Sequence, residues 1–512
     1  ANGVILVTTK EGKTGAPKIT YNGYVGFQNP TTLPDLVNGY QYALLKNLAA
    51  ENVGLPKPWS DDALQKFKDG TDPDRYPPYY DVWSDVRTKN ALLTTHNIDI
   101  SGGTSSFRYY FNVGFQNQKG MWPSTYSKRY NFTLGIDGDI TPTTNLSVKV
   151  IGINKFSSYP PTDVDGSMAS STTRVFELIK YAHPDFGPLI FSNGMYGAPA
   201  AAAIFNSGHR DLNSTDVFSQ INLNQTIPFI EGLKLTGRIA FDPNFSSHKN
   251  WSIPEHMASI DVTQVPYVIT DGYLGKTKPT LTESRSESVQ LTYQAGLNYS
   301  RKFNNHNINF TSVFEAIKRK SSSLGASRRN YSLYIDEISM GSSSNTDMTT
   351  DGSSAEASQV GIVYRLSYDY MLKYLVEFSG RYDGHYYFAP GKRFGFFPAV
   401  SLGWRISEEK FIKDRLTWLN NLKLRASYGE VGALAGGPFQ YLSTYGVQGP
   451  GYVIGGSGVQ IVYERAEPNP NITWERAKKM DVGIEMTLWN GLLNIEADYF
   501  YEKRSNMLIA PN

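Results

Sequence analysis

Hydrophobic and polar residues alternate with a period of two over long stretches of the chain. In FRYYFNVGFQ, residues 107–116, alternate positions are aromatic or aliphatic and the positions between them are mostly polar. In SVQLTYQAGLNYS, residues 288–300, the second set is wholly polar or Gly. Because successive side chains of a β-strand point to opposite faces, the pattern predicts strands that are apolar on one face.

The predicted strands are numerous and long. Comparable alternation occurs at 233–241, 480–488 and 493–501, and we count about fifteen such segments. Many of them reach the ~9–11 residues that a tilted transmembrane strand requires. Strands of soluble sandwiches are typically only about 5–6 residues long, so the lengths favour a membrane barrel.

Short turns alternate with long loops between these strands. Short turns are predicted at 102–106, 138–145, 228–232, 302–306, 371–373 and 489–491, and longer loops at 29–89, 120–128, 156–216, 243–287, 320–357 and 429–475. Up-and-down membrane barrels have this asymmetry, with short turns at one rim and long loops at the other. The segment 407–421 departs from it, since EEKFIKDRLTWL predicts a short amphipathic helix on the short-turn side.

The width of such a barrel decides which face meets lipid. Eight strands enclose a space that side chains can fill, but fifteen or more leave a wide lumen. We therefore expect the apolar faces to point to lipid and the polar faces to line the lumen.

Composition removes several function classes. The 512 residues carry 49 basic and 47 acidic side chains, a formal net charge of +2, so nucleic acid is not an expected partner. The chain has no Cys, which excludes disulfides and thiolate chemistry. No apolar stretch approaches the ~20 residues of a membrane-spanning helix.

Residues for catalysis or metal binding are not apparent. No two of the seven His lie at helical i, i+4 spacing with a nearby ligand set. The acidic pairs Asp61-Asp62 and Glu408-Glu409 fall at predicted helix starts, where negative charge suits the helix dipole. We expect no catalytic residue, no metal, no cofactor and no enzymatic activity.

Aromatic residues at or beyond the strand ends are the candidates for contact with a substrate. They are Trp122, Tyr159, Tyr196, Trp251, Tyr267, Tyr273, Tyr386, Tyr387 and Phe388. Stacking on sugar rings is one interpretation. Packing within loops, or membership of the aromatic girdles of a membrane barrel, is the other.

The chain opens with ANGVILVTTKEGKTGAPKITYNGYVGFQNP and continues with THNIDISGGTSSFRYYFNVGFQNQKG, YLVEFSGRYDG, RFGFFPAVSLGWRISEEKF, LKLRASYGEVG and NPNITWERAKKMDVGIEM. These segments resemble the SusC/RagA family of TonB-linked outer-membrane transporters. The first is similar to the family's junction between plug and barrel, and the others resemble later barrel signatures in the same order. The resemblance covers essentially the whole chain.

The resemblance implies an all-β fold and a function. Residues 1–15 would end a plug domain, and residues 16–512 would form the first part of a transmembrane up-and-down antiparallel barrel, about fifteen of an expected twenty-two strands. Members of the family import oligosaccharides, or other large nutrients such as peptides, across the outer membrane of Bacteroidetes-type bacteria. Energy comes through TonB, and a SusD-like surface lipoprotein acts as a lid. The implied partners are that lipoprotein, TonB, outer-membrane lipid and the substrate.

The same resemblance assigns roles to the loops. With the first barrel strand rising from the periplasm, the long loops are extracellular, and YQYALLKNLAAENVG in the first one predicts a helix. The loop at 429–475 has the position associated with lid contact. Its Gly cluster fits a segment that hinges, although a flexible loop without lid contact is the alternative. The cluster comprises Gly446, Gly449, Gly451, Gly455, Gly456 and Gly458.

Two other functions stay open at this point. A secreted all-β protein or enzyme that binds polysaccharide could use the same aromatics, but would have shorter strands. A passive porin-like channel would share the barrel but would have no apolar strand ahead of it, as in Val4-Ile5-Leu6-Val7. Because the chain opens within that strand and our strand count is odd, we expect it to be a fragment.

Overall fold

A computed structural model describes residues 9–79, 81–161, 171–180, 182–434 and 436–509. The expected plug strand at 4–7 lies outside the described residues. One antiparallel sheet of fifteen strands dominates the fold, and three two-stranded sheets lie in its loops.

The strands are, in chain order, β1 (Gly15–Gln28), β2 (Ala91–Gly103), β3 (Phe107–Lys119), β4 (Tyr126–Thr141), β5 (Thr144–Tyr159), β6 (Gly208–Thr226), β7 (Leu233–Ser252), β8 (Glu255–His256), β9 (Ser259–Asp261), β10 (Val268–Thr270), β11 (Tyr273–Leu274), β12 (Thr280–Phe303), β13 (His306–Arg329), β14 (Met348–Tyr370), β15 (Tyr374–His385), β16 (Phe394–Arg405), β17 (Leu419–Ala433), β18 (Tyr445–Ile454), β19 (Ser457–Glu464), β20 (Glu475–Leu488) and β21 (Leu493–Ser505).

The large sheet is an up-and-down arrangement. Its spatial order is β1-β2-β3-β4-β5-β6-β7-β12-β13-β14-β15-β16-β17-β20-β21, so every strand neighbours the next one of that sheet along the chain. This confirms the predicted architecture and the count of about fifteen strands. Among the described residues, β1 pairs with β2 alone and β21 with β20 alone, so the sheet is not closed.

The register separates two faces as the alternation predicts. Ile98 pairs with Val113, and Val113 with Phe132, so apolar side chains form rows across β2, β3 and β4. The neighbouring row is polar, with Asp99 opposite Asn112. These apolar side chains remain substantially exposed, as expected of a face that meets lipid.

Several strands are longer than the sequence predicts, including β7, β12, β13 and β14. β12 and β13 each have 24 residues and β14 has 23, so the loops predicted at 243–287 and 320–357 shrink to 253–279 and 330–347. Outward positions of β12 are apolar from Tyr299 up to Val289, a segment that rises roughly 25 Å when tilted by about 40°, the height of a lipid-facing band. Beyond Val289 the residues of both faces are polar or charged as far as Thr282, and Leu281 then packs against Trp251 and Tyr331; the alternation is lost although backbone pairing continues.

Seven longer loops lie at one rim, which we call loops 1 to 7: 29–90, 120–125, 160–207, 253–279, 330–347, 386–393 and 434–474. The connections at the opposite rim are 104–106, 142–143, 227–232, 304–305, 371–373, 406–418 and 489–492. The predicted alternation of short and long connections is therefore confirmed, including the one long connection at 406–418.

The helices lie in the connections. They are α1 (Gly39–Asn52), α2 (Asp61–Asp69), α3 (Val82–Val86), α4 (Ser171–Lys180), α5 (Pro199–Phe205) and α6 (Lys410–Lys413). Single 3-10 turns occur at Pro184–Phe186, Ile338–Met340, Asn345–Asp347, Ile406–Glu408 and Trp489–Gly491. None of the helices in the described part of the chain is long and apolar enough to cross a membrane.

Side-chain contacts explain where α1 begins and why α6 is short. Asn38 and Gln41 form a reciprocal capping box at the start of α1, which confirms the helix predicted there. α6 is much shorter than EEKFIKDRLTWL predicts. Glu409, at its start, is instead tied to the sheet by Lys373 at 2.5 Å and by the Trp404 indole N–H at 3.0 Å.

Candidate functional site

Loops 1, 2 and 3 share one apolar core and together form a roof at the long-loop rim. Its buried members are Tyr79, Val82, Trp83, Val86, Trp122, Val175, Ile179, Leu189, Ala198, Ala200, Ala201 and Ile204. Structureless loops of this length are rare without a function. The shared core means that these loops hold a defined shape above the sheet.

Two carboxylates of loop 1 join it to neighbouring loops. Asp74 of loop 1 is 6% exposed and accepts from the Ser192 backbone N–H at 2.8 Å and from its hydroxyl at 2.5 Å in loop 3. Asp72 accepts from the Tyr267 hydroxyl of loop 4 at 2.7 Å, and this hydrogen bond raises the pKa of Tyr267 to about 12. No sequence signal identified these acidic residues.

A second contact between loops 1 and 3 forms around Asp185. The Tyr42 hydroxyl donates to its carboxylate at 2.8 Å, and Lys46 Nζ lies 3.1 Å away. Burial by itself would raise the pKa of Asp185, but the hydrogen bonds from Tyr42 and Lys46 outweigh it and hold the pKa below its ordinary value.

Three of the predicted aromatic residues are packed inside loop cores. Trp122 is 4% exposed within the roof, Trp251 is 6% exposed against Tyr331, and Phe388 is fully buried against Trp474. A buried ring offers no face to a sugar. In this conformation the loop-packing alternative describes these three residues.

The other six lie nearer the surface and are spread over the rim. Tyr159 ends β5, Tyr196 stacks on Phe205 in loop 3, Tyr267 and Tyr273 lie in loop 4, and Tyr386 and Tyr387 lie in loop 6. They do not form one continuous platform. A substrate role for each of them stays a prediction.

One cavity does bring two of the predicted residues together. It has a volume of about 490 Å³, opens to the lumen beneath loops 2 and 3, and is lined by β3, β4, β5 and β6. Its walls include Trp122, Tyr159, Phe176, Gln116, Gln118, Ser127, Arg129, Lys155, Ser214 and Asp216. We call it the roof cavity.

Two cations face each other in the roof cavity. Arg129 of β4 is the register partner of Lys155 of β5, and both side chains are exposed to the lumen. No ion pair or hydrogen bond joins either side chain to any of the described residues. Sequence analysis missed this pair because the two residues lie on different strands, and only the register shows that they are neighbours.

Another stretch of the luminal wall is also highly charged but is internally paired. Lys423 and Arg425 of β17 contact Glu485 of β20 at 3.3 and 3.4 Å. Arg425 also reaches Glu496 at 2.7 Å and Asp498 at 2.6 Å on β21. We call this group the paired wall.

The segment just before β1 lies within the lumen. Lys10 Nζ is 3.6 Å from Asp99 of β2, and residues 9–12 line a cavity of about 630 Å³ together with Asp137, Lys149 and Arg238. Gly12 packs so closely on the backbone of Tyr109 that a Cβ there would lie 2.4 Å from its nitrogen. The polar face of the sheet is therefore the one that encloses the incoming chain.

The Gly cluster of loop 7 builds a β-hairpin of β18 and β19. Gly455 and Gly456 form its tip with φ of +59° and +78°, the left-handed conformations that a two-residue type I′ turn needs. Gly446 and Gly451 leave room for the side chains of Tyr463 and Ile461 on the partner strand, while Gly449 and Gly458 lie within the strands. Lid contact by this hairpin stays a prediction.

Within the described residues, no group of three or more His, Asp or Glu side chains is placed so that it could hold a metal ion.

Comparisons with known proteins agree with this architecture. Residues 204–511 match the family model described as "TonB dependent receptor-like, beta-barrel". The chain is 28% identical over 99% of its length to TonB-dependent receptor P39 of Formosa agariphila, covering 45% of that protein. It is 23% identical over 99% of its length to TonB-dependent receptor SusC of Bacteroides thetaiotaomicron, covering 49% of that protein.

Solved structures show the same fold. The RagAB peptide importer in its closed-closed state superposes with a TM-score of 0.73 at 18% identity, over 98% of this chain and 56% of that one. The chain thus spans about half the length of the curated relatives it matches. These relatives are TonB-dependent receptors and not enzymes. The chain belongs to the TonB-dependent receptor-like β-barrel family and is an outer-membrane protein of the SusC/RagA type.

Proposed function

We propose that this chain forms much of the wall and outer mouth of an active transporter that imports oligosaccharides across the outer membrane. The observation that carries the proposal is a fifteen-stranded sheet with a polar luminal face, roofed at one rim by loops that share a core. A wide polar lumen suits hydrated cargo, and a structured roof suits selection before entry. Peptides are the alternative cargo, since the similar RagAB is a peptide importer.

The segment ahead of β1 supports gating by a plug. Residues 9–12 lie inside the lumen, and the Lys10 contact with Asp99 joins that segment to the wall. We propose that residues 1–15 end a plug domain and that 16–512 belong to the barrel. Force from TonB, transmitted through the plug, would then open a path along the polar wall. A passive porin-like channel has no need of such a segment.

Loop 7 is the proposed contact for a SusD-like lipoprotein lid. Its hairpin exposes apolar side chains, with Tyr452 68%, Val453 74% and Ile454 68% accessible. Exposed apolar groups of this density mark protein interaction sites. We expect the variant Tyr452→Ser/Val453→Ser to lose co-purification of the lipoprotein while leaving barrel stability unchanged.

The test of the transport proposal is uptake by cells that produce the full-length protein. We expect accumulation of fluorescently labelled oligosaccharides that stops when TonB is deleted or a protonophore is added. Deleting the gene of the proposed SusD-like lipoprotein should reduce capture at low substrate concentration. Uptake that persists without TonB would contradict active transport and favour the porin-like alternative, and uptake of labelled peptides alone would replace the oligosaccharide assignment.

A further inference from the structure

The roof cavity contains two positively charged side chains that form no ion pair with a carboxylate among the described residues. Arg129 and Lys155 occupy directly opposite positions of β4 and β5, and like charges in that position destabilise a strand pair. The register also places Gln116 opposite Arg129 and Ser214 opposite Lys155. The cross-strand neighbours of both cations are therefore neutral or cationic.

The carboxylate that lines the roof cavity, that of Asp216, is hydrogen-bonded to another side chain. It accepts a hydrogen bond from the Asn244 side chain at 2.5 Å and makes no ion pair with Lys155 among the described contacts. In the paired wall, by contrast, Lys423 and Arg425 both contact the carboxylate of Glu485. The roof cavity thus keeps two cations open to a ligand directly beneath the mouth.

The rest of the lining indicates what kind of molecule would carry the anion. Gln116, Gln118 and Ser214 present amides and a hydroxyl, and Tyr159 presents an aromatic ring at the edge. Such groups bind hydroxyl-rich ligands by hydrogen bonds and stacking. A peptide would commonly use a free strand edge, but each of β3, β4, β5 and β6 is paired on both sides.

We propose that the roof cavity is a binding subsite for the anionic group of an acidic oligosaccharide, a carboxylate or sulfate held between Arg129 and Lys155. This assignment rests on the proposed import of oligosaccharides and names their charge class. The arginine guanidinium can bind the oxyanion through two parallel hydrogen bonds, and the lysine supplies a second positive charge. Neutral hydroxyls of the same sugar would meet the amides around them.

The experiment measures equilibrium binding to the purified full-length protein, which is independent of TonB-driven uptake. The probes are a tetragalacturonate, a sulfated carrageenan tetrasaccharide, neutral cellotetraose and tetraglutamate. We expect one or both acidic sugars to bind at least about tenfold more tightly than cellotetraose, with the preference declining as salt rises. Arg129→Gln and Lys155→Gln should each weaken acidic-sugar binding by about ten- to a hundredfold and leave cellotetraose binding unchanged.

Lys128→Gln is the matched control. Lys128 is adjacent on β4 but faces outward, opposite Asn117, so its loss should not change the affinity. Preference for tetragalacturonate or for the carrageenan fragment would separate carboxylate from sulfate.

Several results would overturn the proposal. They are equal affinity for charged and neutral sugars, preference for tetraglutamate, no binding of either acidic sugar at millimolar concentration, or variants that bind as the parent does. If the two cations hold another part of the full-length protein, the double variant would lower its melting temperature and admit large antibiotics without any change in sugar affinity. Loss of TonB-dependent uptake with intact acidic-sugar binding would instead count against the proposed transport function alone.

Discussion

Between β4 and β5 the luminal wall places Arg129 opposite Lys155, whereas between β17 and β20 it places Lys423 opposite Glu485. Both pairs occupy polar positions of the same alternating pattern and both face the lumen. In the paired wall each cation has a carboxylate partner within 4 Å, and in the roof cavity neither cation has one among the described residues.

The difference indicates that the cations of the paired wall stabilise the sheet, whereas those of the roof cavity are available to bind an anionic ligand. A cation matched inside the wall contributes to strand pairing and is partly neutralised for anything that passes. A cation that faces another cation slightly weakens the pairing of the two strands. Because no carboxylate neutralises it, it contributes a positive electrostatic potential to the lumen. The location of Arg129 and Lys155 supports a ligand-binding role, because they lie under the roof, where a substrate would first arrive.

The largest effect should come from breaking the paired wall. Arg425→Gln leaves Glu485, Glu496 and Asp498 close together without their shared cation. Because Arg425 is only partly exposed, we expect the unfolding free energy to fall by roughly 1–3 kcal/mol. Urea unfolding of the purified full-length protein would measure it.

Arg365→Gln provides the control for that variant. Arg365 is 63% exposed and has one carboxylate partner, Glu377, at 2.7 Å. Its loss should change stability by less than about 1 kcal/mol. Equal losses for the two arginines would mean that the paired wall is not a cooperative network.

A carboxylate can be added to the roof cavity so that it resembles the paired wall. Gln116→Glu places an acid opposite Arg129 with almost no change in shape. We expect a gain of about 0.2–1 kcal/mol in stability and a loss of acidic-sugar binding, measured by urea unfolding and by equilibrium binding.

Asn117→Glu is the matched control on the outward face of the same strand, opposite Lys128. It should produce a similar ion pair without affecting sugar binding. A Gln116→Glu variant that binds acidic sugars as before would show that the open cations do not select the ligand.

Removing one open cation should change stability least among the wall variants. Arg129→Gln relieves the repulsion with Lys155, so the unfolding free energy should stay within about 0.5 kcal/mol of the parent, with any change a gain. The measurement is the same urea titration. A loss as large as that of Arg425→Gln would reveal a structural partner for Arg129 and remove the contrast between the two regions.

The smallest effect concerns the roof above the open pair and depends on pH. The pKa of Asp185 is held below its ordinary value by hydrogen bonds from Tyr42 and Lys46, so the folded carboxylate binds protons less readily than a free one. Its stabilisation of the contact between loops 1 and 3 is therefore present above about pH 4 and is lost as the pH falls through the lowered value.

Spin labels on loops 1 and 3 would report that change as a broader distance distribution at pH 3 than at pH 7. Asp185→Asn should show little dependence on pH over that interval. A parent protein whose distances do not change would mean that the shared apolar core alone holds the roof.

Much of the architecture was predictable from local pattern. Alternation over 107–116 and 288–300 identified β3 and β12, and the rhythm of short and long connections identified an up-and-down sheet. Strand ends were less predictable, because beyond the lipid-facing segment β12 and β13 lose the regular alternation of apolar and polar residues while their backbones continue to pair. Helix α1 was predictable, but α6 was overestimated because Glu409 is tied to the sheet.

The candidate site was much less predictable than the fold. Surface aromatics were identified by type, yet Trp122, Trp251 and Phe388 are buried, since composition cannot tell a ring that stacks on ligand from one that packs a loop. The contacts of Asp74 with Ser192 and of Asp72 with Tyr267 join residues far apart in the chain, and no local pattern marks them.

The sequence by itself determined the class of structure, because a period of two and the length of each apolar segment are local properties that any membrane-spanning strand must satisfy. The tertiary structure decided which luminal charges face each other. Counting back from the turn at 142–143 would pair Arg129 with Phe156, but an irregularity between Asp139 and Thr141 shifts the register by one residue and brings Lys155 opposite Arg129 instead. A one-residue shift changes every facing pair beyond it, and only the paired backbones of β4 and β5 specify it.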